Sequence, residues 1–436
     1  MKVYIETYGC QMNEADSEVV ARILAEEGIG AASSAEEADA VLVNTCAVRA
    51  GAENRVLQRV EDLKAIRARR PGFLVGVLGC VAQIRKDALL RPPWDADLAA
   101  GPDAYRSIPR LLAEARGGRR VRETRLLRVD DYDRIDPVRR PGANAWVTVT
   151  RGCDNFCAYC VVPFARGRER SRSPESILRE VRRAAAEGFR QVTLLGQNVN
   201  SYRSGDADFA AVLRAACRVP GILRVRFTSP HPKDFPDELL AAIAGEPAAS
   251  PHVHLPLQSG SDPVLERMGR GYGRRDYLAL VGRIRAAVPE AALTTDVIAG
   301  FPGEREEDFQ ATLDVMEEVR FHSAFTFAYS VRRPSIAARR YADDVPEPVK
   351  RERVERLVEV ERRISRERLE EEVGNRVEVL VERRSRKSAR DAFGRTPGGS
   401  GVVFPAPEAA PGDLVRVLVE RATTHTLIGK IAPADG

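Results

Sequence analysis

Cys153, Cys157 and Cys160 form a C-x3-C-x2-C run directly behind the apolar, strand-like stretch 145–150, and this placement constrains the fold more than anything else in the sequence. A chain that sets its chemistry at the carboxyl end of a strand belongs among parallel α/β folds, where such loops gather over one crevice or one barrel mouth. Soft thiolates on one short loop bind zinc or an iron–sulfur cluster. Structural zinc takes four ligands, and this run offers three. A cubane held by three cysteines keeps one iron open to a small molecule. Cys10, Cys46 and Cys80 repeat the placement behind the apolar stretches 3–8, 40–44 and 73–78. Their spacing is roughly 35 residues, about one strand–helix unit. They are expected to converge at the carboxyl edge of a parallel sheet and to hold a second cluster, again with one open iron.

The chain has 436 residues, enough for two or three domains. Residues 1–117 read as alternating strand and helix, with helices at 14–27 and 51–70, and predict a three-layer parallel α/β domain. Residues 118–138 read as a charged, irregular linker opened by Gly117-Gly118-Arg119-Arg120. Residues 139–369 carry six strand–helix pairs, with strands at 145–150, 191–195, 223–228, 252–257, 292–298 and 321–327. They predict a partial (β/α)6 TIM-type barrel with its site at the strand carboxyl ends. A long charged helix at 347–373, striped by Val354, Leu357, Val358, Ile364 and Leu369, is expected to pack on that barrel. Residues 370–434 hold short strands at 377–382, 401–404, 414–421 and 427–431 with Gly/Pro turns, the texture of a small OB-like β-barrel.

Seven cysteines, no uninterrupted apolar span and no signal-peptide pattern at Met1-Lys2-Val3-Tyr4-Ile5-Glu6 predict a cytoplasmic protein away from membranes. In that compartment the cysteines serve metal or catalysis. Cys217, in the apolar run 209–217, reads as a buried small hydrophobe. The net charge of +5 permits an acidic partner such as RNA without requiring one. Arg166, Arg168, Arg170 and Arg172 alternate beside the cysteine run and read equally as RNA phosphate contacts or a solvated face. Arg383, Arg384, Arg386, Lys387 and Arg390, within the small barrel, read as RNA contacts. His231, His252, His254 and His322 lack paired ligand spacing and read as structural.

C-x3-C-x2-C after a first barrel strand resembles the radical S-adenosylmethionine superfamily. The N-terminal cysteine trio and the small C-terminal barrel narrow the likeness to its methylthiotransferases, in which that barrel is a TRAM domain. Thr7-Tyr8-Gly9-Cys10-Gln11-Met12-Asn13, Asn44-Thr45-Cys46-Ala47-Val48-Arg49 and Val161-Val162-Pro163-Phe164-Ala165-Arg166-Gly167 resemble the tRNA-modifying (MiaB-type) branch. So do Leu195-Gly196-Gln197-Asn198-Val199-Asn200, His254-Leu255-Pro256-Leu257-Gln258-Ser259-Gly260-Ser261 and Gly394-Arg395-Thr396. The chain departs from the pattern at Tyr329-Ser330-Val331-Arg332-Arg333-Pro334-Ser335, where the family usually has a proline and a Gly-Thr pair.

The resemblance implies two 4Fe-4S clusters and S-adenosylmethionine. The implied reaction puts a methylthio group on carbon 2 of N6-isopentenyladenosine (N6-dimethylallyladenosine) at position 37 of tRNA. That C–H bond is neither acidic nor polarised, so radical abstraction replaces general base catalysis and the hard chemistry belongs to the cofactor. One S-adenosylmethionine, bound at the Cys153/Cys157/Cys160 cluster, gives the 5′-deoxyadenosyl radical. Another methylates sulfur delivered at the Cys10/Cys46/Cys80 cluster. Tyr159, Gly196, Gln197, Gln258, Ser259 and Ile298 are the implied cofactor contacts, each with a plainer packing or turn role beside it. The tRNA anticodon stem–loop, a small flavodoxin- or ferredoxin-type reductant and a sulfur-resupply protein are the implied partners of an expected monomer. The competing readings are a methylthiotransferase of threonylcarbamoyl-adenosine tRNA or of a ribosomal protein, and a non-catalytic, zinc-containing RNA-binding protein.

Overall fold

The computed structural model describes residues 1–48, 50–127 and 132–433, except the side chains at 50 and 52. Arg49 of the second motif, residues 128–131 of the expected linker and residue 434 lie outside the described residues. The N-terminal unit is a six-stranded parallel sheet. Its spatial order is Gly30–Ala31, Lys2–Tyr8, Ala40–Thr45, Leu74–Gly79, Leu98–Ala100, Val121–Glu123. Ala40–Thr45 and Leu74–Gly79 are buried along their whole length, as central parallel strands covered on both faces must be. Helices Gln11–Glu26 and Ile108–Arg116 cover one face with Val19, Val20, Ile23, Leu111 and Leu112. Helix Ala50–Arg69 covers the other with Val56, Val60 and Leu63.

The chain leaves Lys2–Tyr8 for the outer strand on one side and returns on the other as Ala40–Thr45. This reversal opens a crevice at the strand carboxyl ends. The segment read as an irregular linker contributes the edge strand Val121–Glu123. An edge strand this short pairs through its backbone and needs no apolar pattern, so the sequence hides it. Beyond it, Tyr132 stacks on Tyr105 at 5.6 Å and donates to Pro102 O (2.6 Å), which ties the connection to the domain core.

The central unit is a crescent of six parallel strands in two halves. Arg224–Phe227, Gln191–Leu195 and Asn144–Thr148 form one, and His252–His254, Ala292–Ala299 and Ser323–Ala328 the other. A single bridge, Val225 to Ala249, lies near the seam. All six expected strands are present. Outward-facing Val147, Val192, Leu194, Val225, Val253, Leu293 and Val297 meet the helical layer in one core, and Cys217 is buried there as expected. Helix Glu347–Glu370 lies against the last strand and inserts Leu357 into that core, so it packs on the barrel as its stripe predicts.

The C-terminal unit is a closed five-stranded barrel. Four strands match expectation. The fifth, Asp391–Arg395, gives no strand signal in the sequence, because its charges and Gly394 mask a strand that only barrel closure stabilises. The turn after it meets the amino ends of the central strands. Arg224 Nη1 donates to Arg395 O (2.9 Å) and Thr396 O (3.2 Å), and Ser250 Oγ donates to Pro397 O (2.6 Å). Gly399 adopts φ +93°, and an added Cβ would stand 3.0 Å from Arg226 Nη2 and 3.2 Å from His252 Cδ2. Gly399→Val should therefore cost about 1–3 kcal/mol, read as a lowered denaturant midpoint, with protease sensitivity rising at the junction before residue 370.

Candidate active site

Cys10, Cys46 and Cys80 follow strands Lys2–Tyr8, Ala40–Thr45 and Leu74–Gly79, three neighbours in the sheet. Asn13 knits their loops together. Its Oδ1 accepts from the Cys10 N–H (3.3 Å) and the Cys10 thiol (3.4 Å), and its Nδ2 donates to Asn44 Oδ1 and Thr45 O (3.1 Å each). Asn44 Nδ2 returns bonds to Asn13 O and Ser17 Oγ (2.9 Å each), and Thr45 Oγ1 donates to Leu78 O (2.9 Å). All three side chains are fully buried, where unmade hydrogen bonds are expensive. Cys10 and Cys46 share a hydrogen bond that favours the Cys10 thiolate and opposes ionising Cys46. Burial raises the Cys80 thiol, and Arg166 opposes that rise by charge and hydrogen bond.

The second trio lies on the loop after strand Thr150–Arg151. Gln197 Oε1 accepts from Gly152 N–H (2.6 Å), Cys153 N–H donates to Gly167 O (3.2 Å), and Cys160 N–H donates to Cys157 O (2.9 Å). Ala158 is tied on both sides, donating to Met268 O (2.8 Å) and accepting from Ala337 N–H (2.6 Å). Buried Arg270 donates from Nη1 to Cys157 Sγ and Tyr159 Oη (3.3 Å each). Burial pushes the Cys153 and Cys160 thiols up to about 11 and about 12, so loading a metal there must displace protons.

Three thiols per site, with cationic donors against them, suit the anionic sulfur of an iron–sulfur cubane. Gln197 Nε2 and the Nε and Nη2 of Arg332 are buried without hydrogen-bond partners, as donors awaiting an acceptor-rich group would be. No three His, Cys, Asp or Glu side chains among the described residues form a single-ion cage.

Asp16, fully buried on helix Gln11–Glu26, joins the two units. It pairs with Arg166 (2.7 Å) and Arg151 (3.0 Å) from the central unit and accepts from Tyr105 Oη (3.1 Å). Burial works against its carboxylate, but Arg166 and Arg151 overcome this and hold its pKa below the usual range. Val161 and Ala165, just past Cys160, pack in one apolar cluster with Cys80 and Val81. The two trios thus face the same junction.

This junction corrects the reading of the alternating arginines. Arg170 pairs with Asp103 (2.9 Å), and Arg172 pairs with Glu180 (2.6 Å) and Asp133 (2.9 Å). Three of the four are therefore neither solvated nor free for phosphate, because a guanidinium fork suits a buried carboxylate equally well. Only Arg168 stays exposed, paired with Asp154.

Tyr159 and Ile298 pack on one apolar cluster with Ala158, Met268, Phe301 and Tyr329. Gly196 is closed in by the Thr150 hydroxyl, which a Cβ would strike. Gln258, at φ +68°, extends the barrel by exchanging bonds with Asp296 O (2.8 Å) and Ile298 N–H (2.9 Å). Ser259 is fully buried, its hydroxyl shared with Thr312 Oγ1 (3.3 Å) and accepting from Ser261 N–H (3.2 Å), so it shapes the turn and does not face the opening. The atypical segment is held at both ends. Ser335 caps helix Ile336–Arg340 through Ala338 N–H (3.3 Å), and Arg332 reaches Glu53 of the N-terminal unit (3.7 Å). Sequence reasoning did not find Arg270, whose helix-end position carries no periodic signal. It also missed Asp16, whose one cue is an acid between the apolar Ala15 and Val19.

Residues 147–316 match the Radical SAM superfamily, residues 370–432 the TRAM domain, and residues 2–101 a family described as Uncharacterized protein family UPF0004. A tRNA-2-methylthio-N(6)-dimethylallyladenosine synthase of Prosthecochloris aestuarii is 46% identical over 438 residues, covering 100% of this chain and 99% of that protein. A relative of the same name from Porphyromonas gingivalis is 45% identical over 439 residues, covering 99% and 95%. Among solved structures, the radical S-adenosylmethionine methyltransferase TsrM of Kitasatospora setae, with cobalamin and a [4Fe-4S] cluster bound, superposes with a TM-score of 0.57. It shares 14% identity and covers 77% of this chain and 74% of that one, a likeness of fold.

Asp16→Asn should destabilise the protein by about 3–5 kcal/mol, because it strands two buried guanidinium groups. Urea unfolding at neutral pH measures this. The depressed Asp16 pKa gives the sign with pH. Its stabilisation is complete above the unfolded carboxylate value of about 4 and is lost as pH falls through the lower folded value. The gap between wild type and Asp16→Asn should therefore narrow in acid.

Proposed function

We propose, for a chain that belongs to the radical SAM tRNA-2-methylthio-N6-dimethylallyladenosine synthases, the following division of labour among its residues. Cys153, Cys157 and Cys160 hold one 4Fe-4S cluster, and Cys10, Cys46 and Cys80 hold the other. When bound, the clusters and S-adenosylmethionine supply the 5′-deoxyadenosyl radical that takes hydrogen from carbon 2 of N6-isopentenyladenosine in tRNA, and the sulfur and methyl group that replace it. The observation that supports this reading is the pair of cysteine trios at strand carboxyl ends, one on three neighbouring loops and one on a single loop, turned toward one junction around Asp16.

In this reading the chain's own residues bind, orient and exclude water. Arg270 steadies the Cys157 sulfur and the Tyr159 ring through its N–H groups. Gln197 fixes the Gly152 backbone at the root of the cysteine loop, and its unpartnered Nε2 would be available to an acceptor atom of the cofactor. Tyr159 and Ile298, with the apolar cluster beneath them, would shield the cofactor's adenine from water. Gly196 lets the Thr150 hydroxyl and Val199 pack against its backbone, Gln258 would present its backbone, and Ser259 would act through the turn it holds. The functional units are 1–117, the 118–138 connection, 139–369 and 370–434.

The TRAM barrel grips the anticodon stem–loop through exposed Arg383, Arg386, Lys387 and Arg390. Arg384 spends two donors on Ala406 O and Pro407 O and contributes less. A small flavodoxin- or ferredoxin-type protein supplies electrons, and a sulfur-carrying protein restores the consumed sulfur. Among the described residues no helix is long and apolar enough to cross a membrane, and a cytoplasmic monomer fits this chemistry.

Mass analysis of tRNA nucleosides from a deletion strain tests the substrate. Isopentenyladenosine without its methylthio group should accumulate. Loss of methylthiolated threonylcarbamoyl-adenosine instead would overturn the assignment. Replacing Cys10, Cys46 and Cys80 by alanine should remove about half the iron and sulfide of anaerobically purified protein. Unchanged iron would remove the second cluster. Reversing Arg386, Lys387 and Arg390 to glutamate should weaken tRNA binding uniformly across sequences and shallow its salt dependence by up to about 3 in log–log slope.

A further inference from the structure

The inner wall of the central barrel holds a side chain that the reading above leaves without a task. Thr294, Asp296 and Ile298 face inward from strand Ala292–Ala299, opposite in parity to Leu293 and Val297, which face the helices. The parallel register sets His252 and His254 beside this row on one side and Ser323, Phe325 and Phe327 on the other. Most of the polar members are knit together. His254 Nδ1 shares a hydrogen bond with Thr294 Oγ1 (3.0 Å), His254 Nε2 meets Asp296 Oδ2 (3.2 Å), and His252 Nε2 shares a bond with Thr294 Oγ1 (3.2 Å).

Phe325 breaks the pattern. It lies in mid-strand on a concave wall, yet it is 50% exposed, and it is the one aromatic among the large exposed hydrophobics of the described residues. Its ring stands edge-on to His254 at 6.1 Å and stays half exposed. Apolar surface left wet on a concave wall beside a few convergent polar groups suits a ligand seat. The register places it one inward step from Ile298 and Phe327, so a group entering from the strand carboxyl ends passes the Tyr159–Ile298 cluster before reaching it.

We propose that Phe325 is the seat of the substrate's isopentenyl chain, and so the residue by which the enzyme tells prenylated from unmodified adenosine. The inference rests on the function proposed above and assigns the part of that site which reads the prenyl group. The five-carbon chain is wholly apolar, and the neighbouring Thr294, Asp296 and His254 offer it nothing. Phe325 offers an uncovered ring. Beside it, the Asp296 carboxylate is an acceptor of the kind that the N6–H of the same adenine seeks. Phe325 touches substrate without taking part in bond making, which makes it a specificity residue.

The test uses reconstituted holoenzyme under anaerobic conditions and two anticodon stem–loop RNAs, one with isopentenyladenosine and one with adenosine. Fluorescence anisotropy gives both dissociation constants. Wild type should prefer the prenylated RNA. Phe325→Ala should lower that preference by about tenfold, leave affinity for the unmodified RNA unchanged, and keep the wild-type melting temperature within a few degrees. Phe325→Leu should retain most of the preference. A Phe325→Ala variant with the full wild-type preference would overturn the inference while leaving the proposed function intact. A wild type with no preference for either RNA would overturn both.

Discussion

A carboxylate buried among arginines from another domain holds this molecule's working geometry. Asp16 has no water to fall back on, so its charge is tolerable only while Arg151 and Arg166 stay against it. Those two arginines flank the second cysteine loop in sequence, and Asp16 sits one helix turn and a half beyond Cys10. The two thiol trios are therefore registered against each other by the same ion cluster. A small displacement of the domains, before water can enter, would stretch both ion pairs in a poor dielectric and is opposed for that reason.

The same device operates at smaller scale within each trio. In the N-terminal unit, Asn13, Asn44 and Thr45 spend nearly all their hydrogen-bonding capacity on one another's loops, so three strand ends distant in sequence behave as one rigid rim. In the central unit, Gln197 and the backbone bonds of Ala158 fix the cysteine loop to strands and helices on either side. Rigid first contacts backed by locked neighbours are what a reactive centre requires.

Much of this was legible before any coordinates. Cys10, Cys46, Cys80 and the run opened by Cys153 each follow an apolar stretch, and the six barrel strands were readable as short runs with an apolar outward face between turn and helix signals. What stayed hidden depends on partners remote in sequence. The strand Val121–Glu123 is charged and pairs only through its backbone. Asp391–Arg395 is a strand because the barrel closes around it. The alternation of Arg166, Arg170 and Arg172 looked like an outward face, and their acids, Asp16, Asp103, Asp133 and Glu180, come from four other segments. Charge pattern along a chain does not say whether the opposite charge will be a phosphate or a buried carboxylate.

The turn at residues 396–400 carries one more implication. It closes the amino end of the catalytic crescent while belonging to the small C-terminal barrel, held there by Arg224 and Ser250. Two bodies so bolted cannot slide past each other, and the span from the outer barrel to the catalytic mouth is a fixed length. A partner that touches both bodies at once must therefore match that span.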